Sequence, residues 1–410
     1  MASFRAVLRS GHPPTLFAAF LYFDFCFAIW VLNGAMGPFL TETFHLSPTQ
    51  TGLMISIPTL AGALMRFPLG VLSQYIGRKT AAIVEMSVII VAMVLGWLLV
   101  DSFGGVLAVG VLLGIAGASF GVALSLGSGW FPKEHKGLAM GIAGAGNSGT
   151  VLALLLAPPL ARAYGWHSVY GFAALFMAVP LIVMILIARE PPDHEHQTLR
   201  EHVQCLWESD GWAFNLIYVI TFGGFIGLST FLPSFFYAQF SVSKVAAGQL
   251  TVLAALMGSA IRIVGGWVSD RIGGIVTLSV VLVAAIGVFL CLTAEPSLVV
   301  TTGLFMVCFA LLGMGNGALF QLVPLRWPNN TAVASSMIGE IGALGGAILP
   351  NVMGFSKQWT GGFGPGFLVY ALFTAVVLVG LRLFQRRWTR TWVGPGGRVR
   401  VRAEPVTAAG

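Results

Sequence analysis

The sequence predicts an all-α membrane protein with twelve transmembrane helices in two pseudo-symmetric halves of six. Three observations predict it: an apolar composition, twelve runs long enough to span a bilayer, and a helix-end motif that occurs in both halves. Hydrophobic residues make up 57% of the 410 and charged residues only 9%, against about 25% charged in soluble domains. A chain this apolar cannot cover its own surface with polar groups, so its solvent is lipid. That excludes a soluble enzyme, a nucleic-acid binder and a disulfide scaffold. The 52 glycines fit membrane helices, in which glycine is frequent.

A helix needs roughly 20 apolar residues to cross the hydrocarbon. Twelve such runs read as 14–40, 50–74, 80–100, 105–130, 136–160, 166–188, 212–238, 246–270, 275–293, 299–326, 331–355 and 365–387. The long polar interruption, Arg189 to Asp210, divides them six and six. Residues 1–188 are therefore expected to form an N-terminal half, 189–211 a cytoplasmic linker, 212–387 a C-terminal half and 388–410 a basic cytoplasmic tail. The polar N-terminus lacks an A-x-A-like cleavage site after a short apolar core, so the first span reads as retained.

Sidedness follows from the basic residues. With the N-terminus cytoplasmic, seventeen of the 22 lysines and arginines lie inside: Arg5, Arg9, Arg78, Lys79, Lys133, Lys136, Arg189, Arg200, Arg271, Arg326 and the seven tail arginines from Arg382 to Arg402. Only Arg162, Lys244 and Lys357 lie outside. The expectation is a multi-pass protein of the cytoplasmic membrane with both termini inside. The remaining two cations, Arg66 and Arg262, fall within spans.

Those two belong to an internal repeat. Span 2 ends RFPLGVLSQYIGRK (Arg66 to Lys79) and span 8 ends RIVGGWVSDRIGGI (Arg262 to Ile275). An offset of 196 aligns Arg66 with Arg262, Gly70 with Gly266, Gln74 with Asp270 and Gly77 with Gly273. Repeats of this kind mark secondary transporters, whose substrate site lies near the midplane between the halves. Each arginine lies one turn deeper than its glycine, roughly 6 Å towards the bilayer centre. A buried arginine costs about 2.5–3.5 kcal/mol on insertion scales, which demands a reason. One is pairing with an acid in a span: Asp24, Glu340, or Glu85, which is expected in the interfacial region. The other is a cationic clamp for an anion, since guanidinium forks suit planar, bidentate oxyanions.

Span 5 contains GIAGAGNSG (Gly141 to Gly149) and span 11 contains IGEIGALGGAILPN (Ile338 to Asn351). Glycines at this density let helix backbones approach closely, which assigns packing and gating roles to Gly144, Gly146, Gly342, Gly345 and Gly346. Packing does not explain Asn147, whose amide can offer two N–H donors to an oxyanion.

Here the sequence resembles the nitrate/nitrite porter family of the major facilitator superfamily. The motif Gly266, Asp270, Arg271, Gly273 resembles the superfamily's loop signature, although Gln74 and Tyr75 replace the Asp-Arg pair in the first half. AGAGNSG (Ala143 to Gly149) and GALGGAILPN (Gly342 to Asn351) look like the family's two nitrate signatures. The resemblance implies the major facilitator fold and transport by alternating access. It also implies an anion held by Arg66 and Arg262, with hydrogen bonds from Asn147 and Tyr218 and an aromatic lid of Phe120 and Phe222. Tyr218 and Phe222 carry over from YVITFGGFIG (Tyr218 to Gly227), and Phe120 from AGASF (Ala116 to Phe120). Phe27 is a further aromatic for the same wall or for plain packing. Asp24 and Glu340 lie outside the signatures; each is a candidate proton carrier or a counter-charge to the arginines. Asp270 and Arg271 are candidates for a gating ion pair.

The alternatives are a facilitator for another small anion, such as a monocarboxylate or phosphate, and a non-transporting membrane sensor. Phosphate would call for more cations than two, and no lysine lies in a span core. A sensor would need an output domain that linker and tail are too short to hold. Nothing predicts an enzyme, a cofactor or a metal. The cysteines Cys26, Cys205, Cys291 and Cys308 are far apart, and the His194/His196 pair falls in a polar linker. No nucleotide-binding G-x-x-x-x-G-K-[ST] occurs. The expected partners are nitrate or nitrite, protons and the bilayer, with a monomer as the working unit. The basic tail is expected to anchor the last helix at anionic headgroups.

Overall fold

A computed structural model describes residues 10–192, 207–328 and 331–399. Twelve helices long and apolar enough to span a membrane run through it. They are α1 (Pro13–Trp30), α2 (Pro48–Ile76), α3 (Arg78–Leu99), α4 (Phe103–Ser128), α5 (Ala139–Tyr164), α6 (Trp166–Ile187), α7 (Ser209–Phe240), α8 (Lys244–Ile272), α9 (Gly274–Leu292), α10 (Leu298–Arg326), α11 (Thr331–Thr360) and α12 (Gly364–Thr391). All twelve expected spans are present. Arg5, Arg9, Arg200, His194, His196, Cys205 and the tail beyond residue 399 lie outside the described residues, as do the side chains of Lys133 and Lys136. The stretch expected to begin a tail at residue 388 is still helical, because α12 continues to Thr391.

The repeat extends well beyond the arginine motif. Gly77 (φ +87°) ends α2 and opens α3, and Gly273 (φ +99°), 196 residues on, does the same for α8 and α9. Gly165 (+81°) and Gly361 (+79°) repeat the device at the α5–α6 and α11–α12 turns, again 196 apart. A positive φ reverses the chain within one residue and strains any side chain there, so the glycines follow from the tightness of the turns. At the other end Ser47 and Ser243, a further 196-residue pair, cap α2 and α8 by accepting from the N–H of Gln50 and of Ala246.

Several spans are broken where they pass the middle of the molecule. α1 stops at Trp30 and continues as short helices Leu32–Ala35 and Gly37–Thr43. α4 breaks between Ala116 and Ser119, α5 tightens to a 3-10 turn over Ala145–Ser148, and α7 widens to a π-helical turn over Val219–Gly223. Such irregularities free backbone groups, which must then find partners in neighbouring helices or in a ligand.

The halves are bound to each other at the end remote from the linker. There Lys244 pairs with Glu42 at 2.6 Å, and the N–H and hydroxyl of Thr49 donate to Gln358 at 3.2 and 2.7 Å. Asn351 donates to Ser56, which donates in turn to the Ala347 carbonyl. Polar contacts described at the linker end stay within one half. Glu190 accepts from the N–H groups of Arg78 and Lys79 at the start of α3, and Arg326 pairs with Glu208 and Asp210.

Candidate functional site

Arg66 is 4% exposed and reaches from α2 towards both halves. Its Nε donates to the Gly117 carbonyl at 2.9 Å and its Nη1 to the Gly339 carbonyl at 2.6 Å. Gly117 can accept because α4 breaks there, so its carbonyl has left the helical ladder. A Cβ at Gly117 would stand 2.3 Å from the Trp30 ring, so glycine is what admits that indole. Gly339 belongs to α11, so Arg66 ties the N-terminal half to the C-terminal one at mid-depth. The guanidinium carbon lies 5.3 Å from the Trp30 ring centre, 5.3 Å from Phe120 and 5.9 Å from Phe222, within cation–π range of all three. Nη2 is buried with no hydrogen-bond partner.

Arg262 has a more open setting. It is half-buried on α8, with its guanidinium carbon 5.7 Å from the Phe320 ring centre. Tyr218 connects the two arginines. Its ring stacks on Phe222 at 4.8 Å and 6°, and meets Phe320 edge-on at 5.3 Å. Its hydroxyl faces Arg262, which can only donate, and finds no acceptor for its own proton. The row Arg66–Phe222–Tyr218–Phe320–Arg262 therefore crosses the interior as an aromatic wall with a cation at each end.

The π turn in α7 holds Tyr218 and Phe222 against α11. A Cβ at Gly342 would fall 2.2 Å from the Tyr218 ring, one at Gly345 2.4 Å from the Val219 carbonyl, and one at Gly346 2.8 Å from Thr59. These three glycines are thus contact points for α7 and α2. Gly144 packs on Leu124, while Gly146 faces the Phe23 side chain and the backbone of Asp24. Asn147 is 4% exposed on the 3-10 turn, and that turn touches α8, the helix of Arg262. Phe27 packs between Phe23 and Trp30 within the core.

The acids depart from expectation. Asp24 pairs with neither arginine: its carboxylate accepts from the Ser148 hydroxyl at 2.5 Å. Glu340 does lie within electrostatic reach of Arg66, and it accepts from Ser336 at 3.2 Å. Glu85 is 2% exposed and accepts a hydrogen bond from Tyr22. Two of the five N–H donors of Arg66 are taken by carbonyls in this conformation, and both on Nη2 are left for another acceptor. Asp270 and Arg271 are exposed at the linker end, with Arg271 stacked 3.6 Å over Trp267.

Reasoning from the sequence missed Gly117, Gly339, Trp30 and Phe320. Only Gly339 carried a signal, as part of the glycine-rich IGEIG opening of that stretch. The described residues include no group of three or more side chains able to hold a metal.

Comparison with known proteins agrees with this architecture. A family profile described as Major Facilitator Superfamily matches residues 18–350. The nitrite extrusion protein of Bacillus subtilis is 28% identical over 89% of this chain and 93% of its own length. The probable nitrate/nitrite antiporter NarK1 of Thermus thermophilus is 29% identical over 90% of both, and the probable nitrate transporter NarT of Staphylococcus carnosus 30% identical over 86% of this chain and 91% of its own. Each is named as a transporter, none as an enzyme. Among solved structures, a bacterial homolog of the human lysosomal transporter Spinster superposes with a TM-score of 0.71 at 18% identity, covering 93% of this chain and 98% of that one. The human organic anion transporter MFSD10 superposes with 0.70 at 17% identity, covering 90% and 99%.

Proposed function

The chain belongs to the Major Facilitator Superfamily, and from that membership and the site we propose that it carries nitrate or nitrite across the cytoplasmic membrane by alternating access. The relatives named above supply the substrate class. The observation that carries the proposal is the pair of buried donors, Arg66 Nη2 and the Tyr218 hydroxyl, with no acceptor between two intramembrane arginines. Each buried donor left unsatisfied costs about 1–3 kcal/mol, which an oxyanion would recover. Nitrate is small, flat and singly charged, so Phe120 and Phe222 suit its faces while Arg66, Arg262, Asn147 and Tyr218 suit its edge.

With both termini cytoplasmic, the bound end of the molecule faces outward. Alternation then requires the Glu42–Lys244 and Thr49–Gln358 contacts to part while the linker end closes. Asp270 and Arg271 would meet their partners in that opposite state, with the glycine-rich faces of α5 and α11 sliding. The site lies between halves of one chain, so a monomer suffices. Where uptake is coupled to a proton, Glu340 is the better placed carrier: an anion that takes over Arg66 frees the carboxylate beside it to accept one.

The test is counterflow in proteoliposomes, with labelled nitrate exchanged against nitrite, formate or phosphate, with and without a pH gradient. Exchange with nitrate and nitrite but not phosphate is expected. Equal exchange with phosphate, or none with nitrate, overturns the proposal. Glu340→Gln should remove acceleration by an inward proton gradient while exchange persists.

A further inference from the structure

Asp24 is a carboxylate in the middle of α1, 6% exposed, and among the described residues no cation is paired with it. We propose that Asp24 is a positioning residue for the anion site, an anchor on α1 for the tightened turn of α5 that sets where Asn147 stands. The inference rests on the proposed function above, because it takes Asn147 as a donor to the anion.

α5 tightens over Ala145–Ser148 and continues as Gly149–Tyr164, with the Gly149 N–H taken by the carbonyls of Gly146 and Asn147. Ser148 makes no capping bond within α5. Its hydroxyl lies 3.0 Å from the Ala145 carbonyl but only 2.5 Å from Asp24 Oδ1, to which it donates. The tightened turn is thus tied to another span by a buried carboxylate, and a hydrogen bond to a charged acceptor is the stronger kind.

Backbone contact fixes the same register. A Cβ at Gly149 would stand 1.9 Å from the Asp24 carbonyl and 2.8 Å from the Ala28 nitrogen, and one at Gly146 2.7 Å from the Asp24 nitrogen. α1 therefore lies directly against the turn on either side of Asn147. That residue is the immediate neighbour of Ser148, so the Asp24–Ser148 bond sets the turn that presents its amide. Phe23, next to Asp24, packs on Phe120 at 5.3 Å and carries the same register to the aromatic wall.

The experiment measures nitrate KM and maximal exchange rate in proteoliposomes for Asp24→Ala, Ser148→Ala, Asn147→Ala and the double variant Asp24→Ala/Asn147→Ala, with thermal stability in detergent alongside. Asp24→Ala and Ser148→Ala should each raise KM about tenfold, the order of one hydrogen bond to a charged ligand, at a largely kept maximal rate. The double variant should be no worse in KM than Asn147→Ala, because the effect passes through that amide. Asp24→Asn, which keeps an acceptor for Ser148, should recover part of the loss. Unchanged KM in Ser148→Ala, or KM effects of Asp24→Ala and Asn147→Ala that multiply, would overturn the inference even if Asp24→Ala proves too unstable to assay. A parent protein that exchanges neither nitrate nor nitrite overturns the transport proposal instead.

Discussion

Tyr22 and Tyr218 stand 196 residues apart, at matching positions of α1 and α7, yet their hydroxyls have different surroundings. Tyr22 donates to Glu85, whereas Tyr218 lies among Arg262, Arg66 and two aromatic rings with no acceptor. At the position 196 beyond Glu85 stands Val281, so the repeat copies the tyrosine without its carboxylate. The arginines differ likewise: Arg66 is buried, held by two carbonyls and covered by three rings, while Arg262 is half-buried beside one. The halves share turns, caps and helix order. The difference shows that a duplicated scaffold can support a fixed cation on one side and an adaptable one on the other.

The largest effect should separate the two arginines. Arg66→Lys removes the fork that serves Gly117 and Gly339 together, and anion affinity should fall about 100-fold or more. Arg262→Lys leaves a charge on a flexible stem beside Phe320 and should cost about tenfold. Nitrate binding followed by calorimetry measures both, and equal losses would erase the asymmetry. Next in size is a contrast between glycines. Gly342→Ala drives a methyl into the Tyr218 ring and should abolish transport, whereas Gly70→Ala, with nothing within 4 Å of its Cβ, should transport normally. A functional Gly342→Ala protein would mean that α7 is not pressed on α11.

The tyrosines come third. Tyr218→Phe should raise nitrate KM about tenfold with thermal stability unchanged or higher, because the hydroxyl has no protein acceptor to lose. Tyr22→Phe should do the reverse, destabilising the fold by about 1–3 kcal/mol as Glu85 loses its donor, with KM unaltered. The smallest effect belongs to the bond at the outer end. The Lys244 ammonium and the Tyr237 hydroxyl hold the Glu42 carboxyl below the usual glutamate range. A lowered value means the pair contributes at neutral pH and loses its contribution only as pH falls through that value. Spin labels on cysteines placed at Thr43 and Ala238 should keep their separation until pH drops below about 4.3, the ordinary glutamate value. A change near neutrality would show that some other group holds that end.

The sequence by itself determined the twelve spans, the division into six and six, and the two arginines at equivalent positions. These follow from local quantities: the length of an apolar run, the cost of a charge within it, and a motif recurring 196 residues later. It also pointed to Asn147, Tyr218, Phe120 and Phe222, through a family resemblance whose specific motifs lie in short stretches. Only the tertiary structure decided which acid serves which partner. Asp24 and Glu340 look alike in a hydropathy profile, but one meets Ser148 at the tightened turn of α5 and the other an arginine. Trp30, Phe320 and the carbonyls of Gly117 and Gly339 were equally hidden. A backbone carbonyl has no residue type to betray it, and whether it is free depends on where neighbouring helices break and how closely glycine lets them meet.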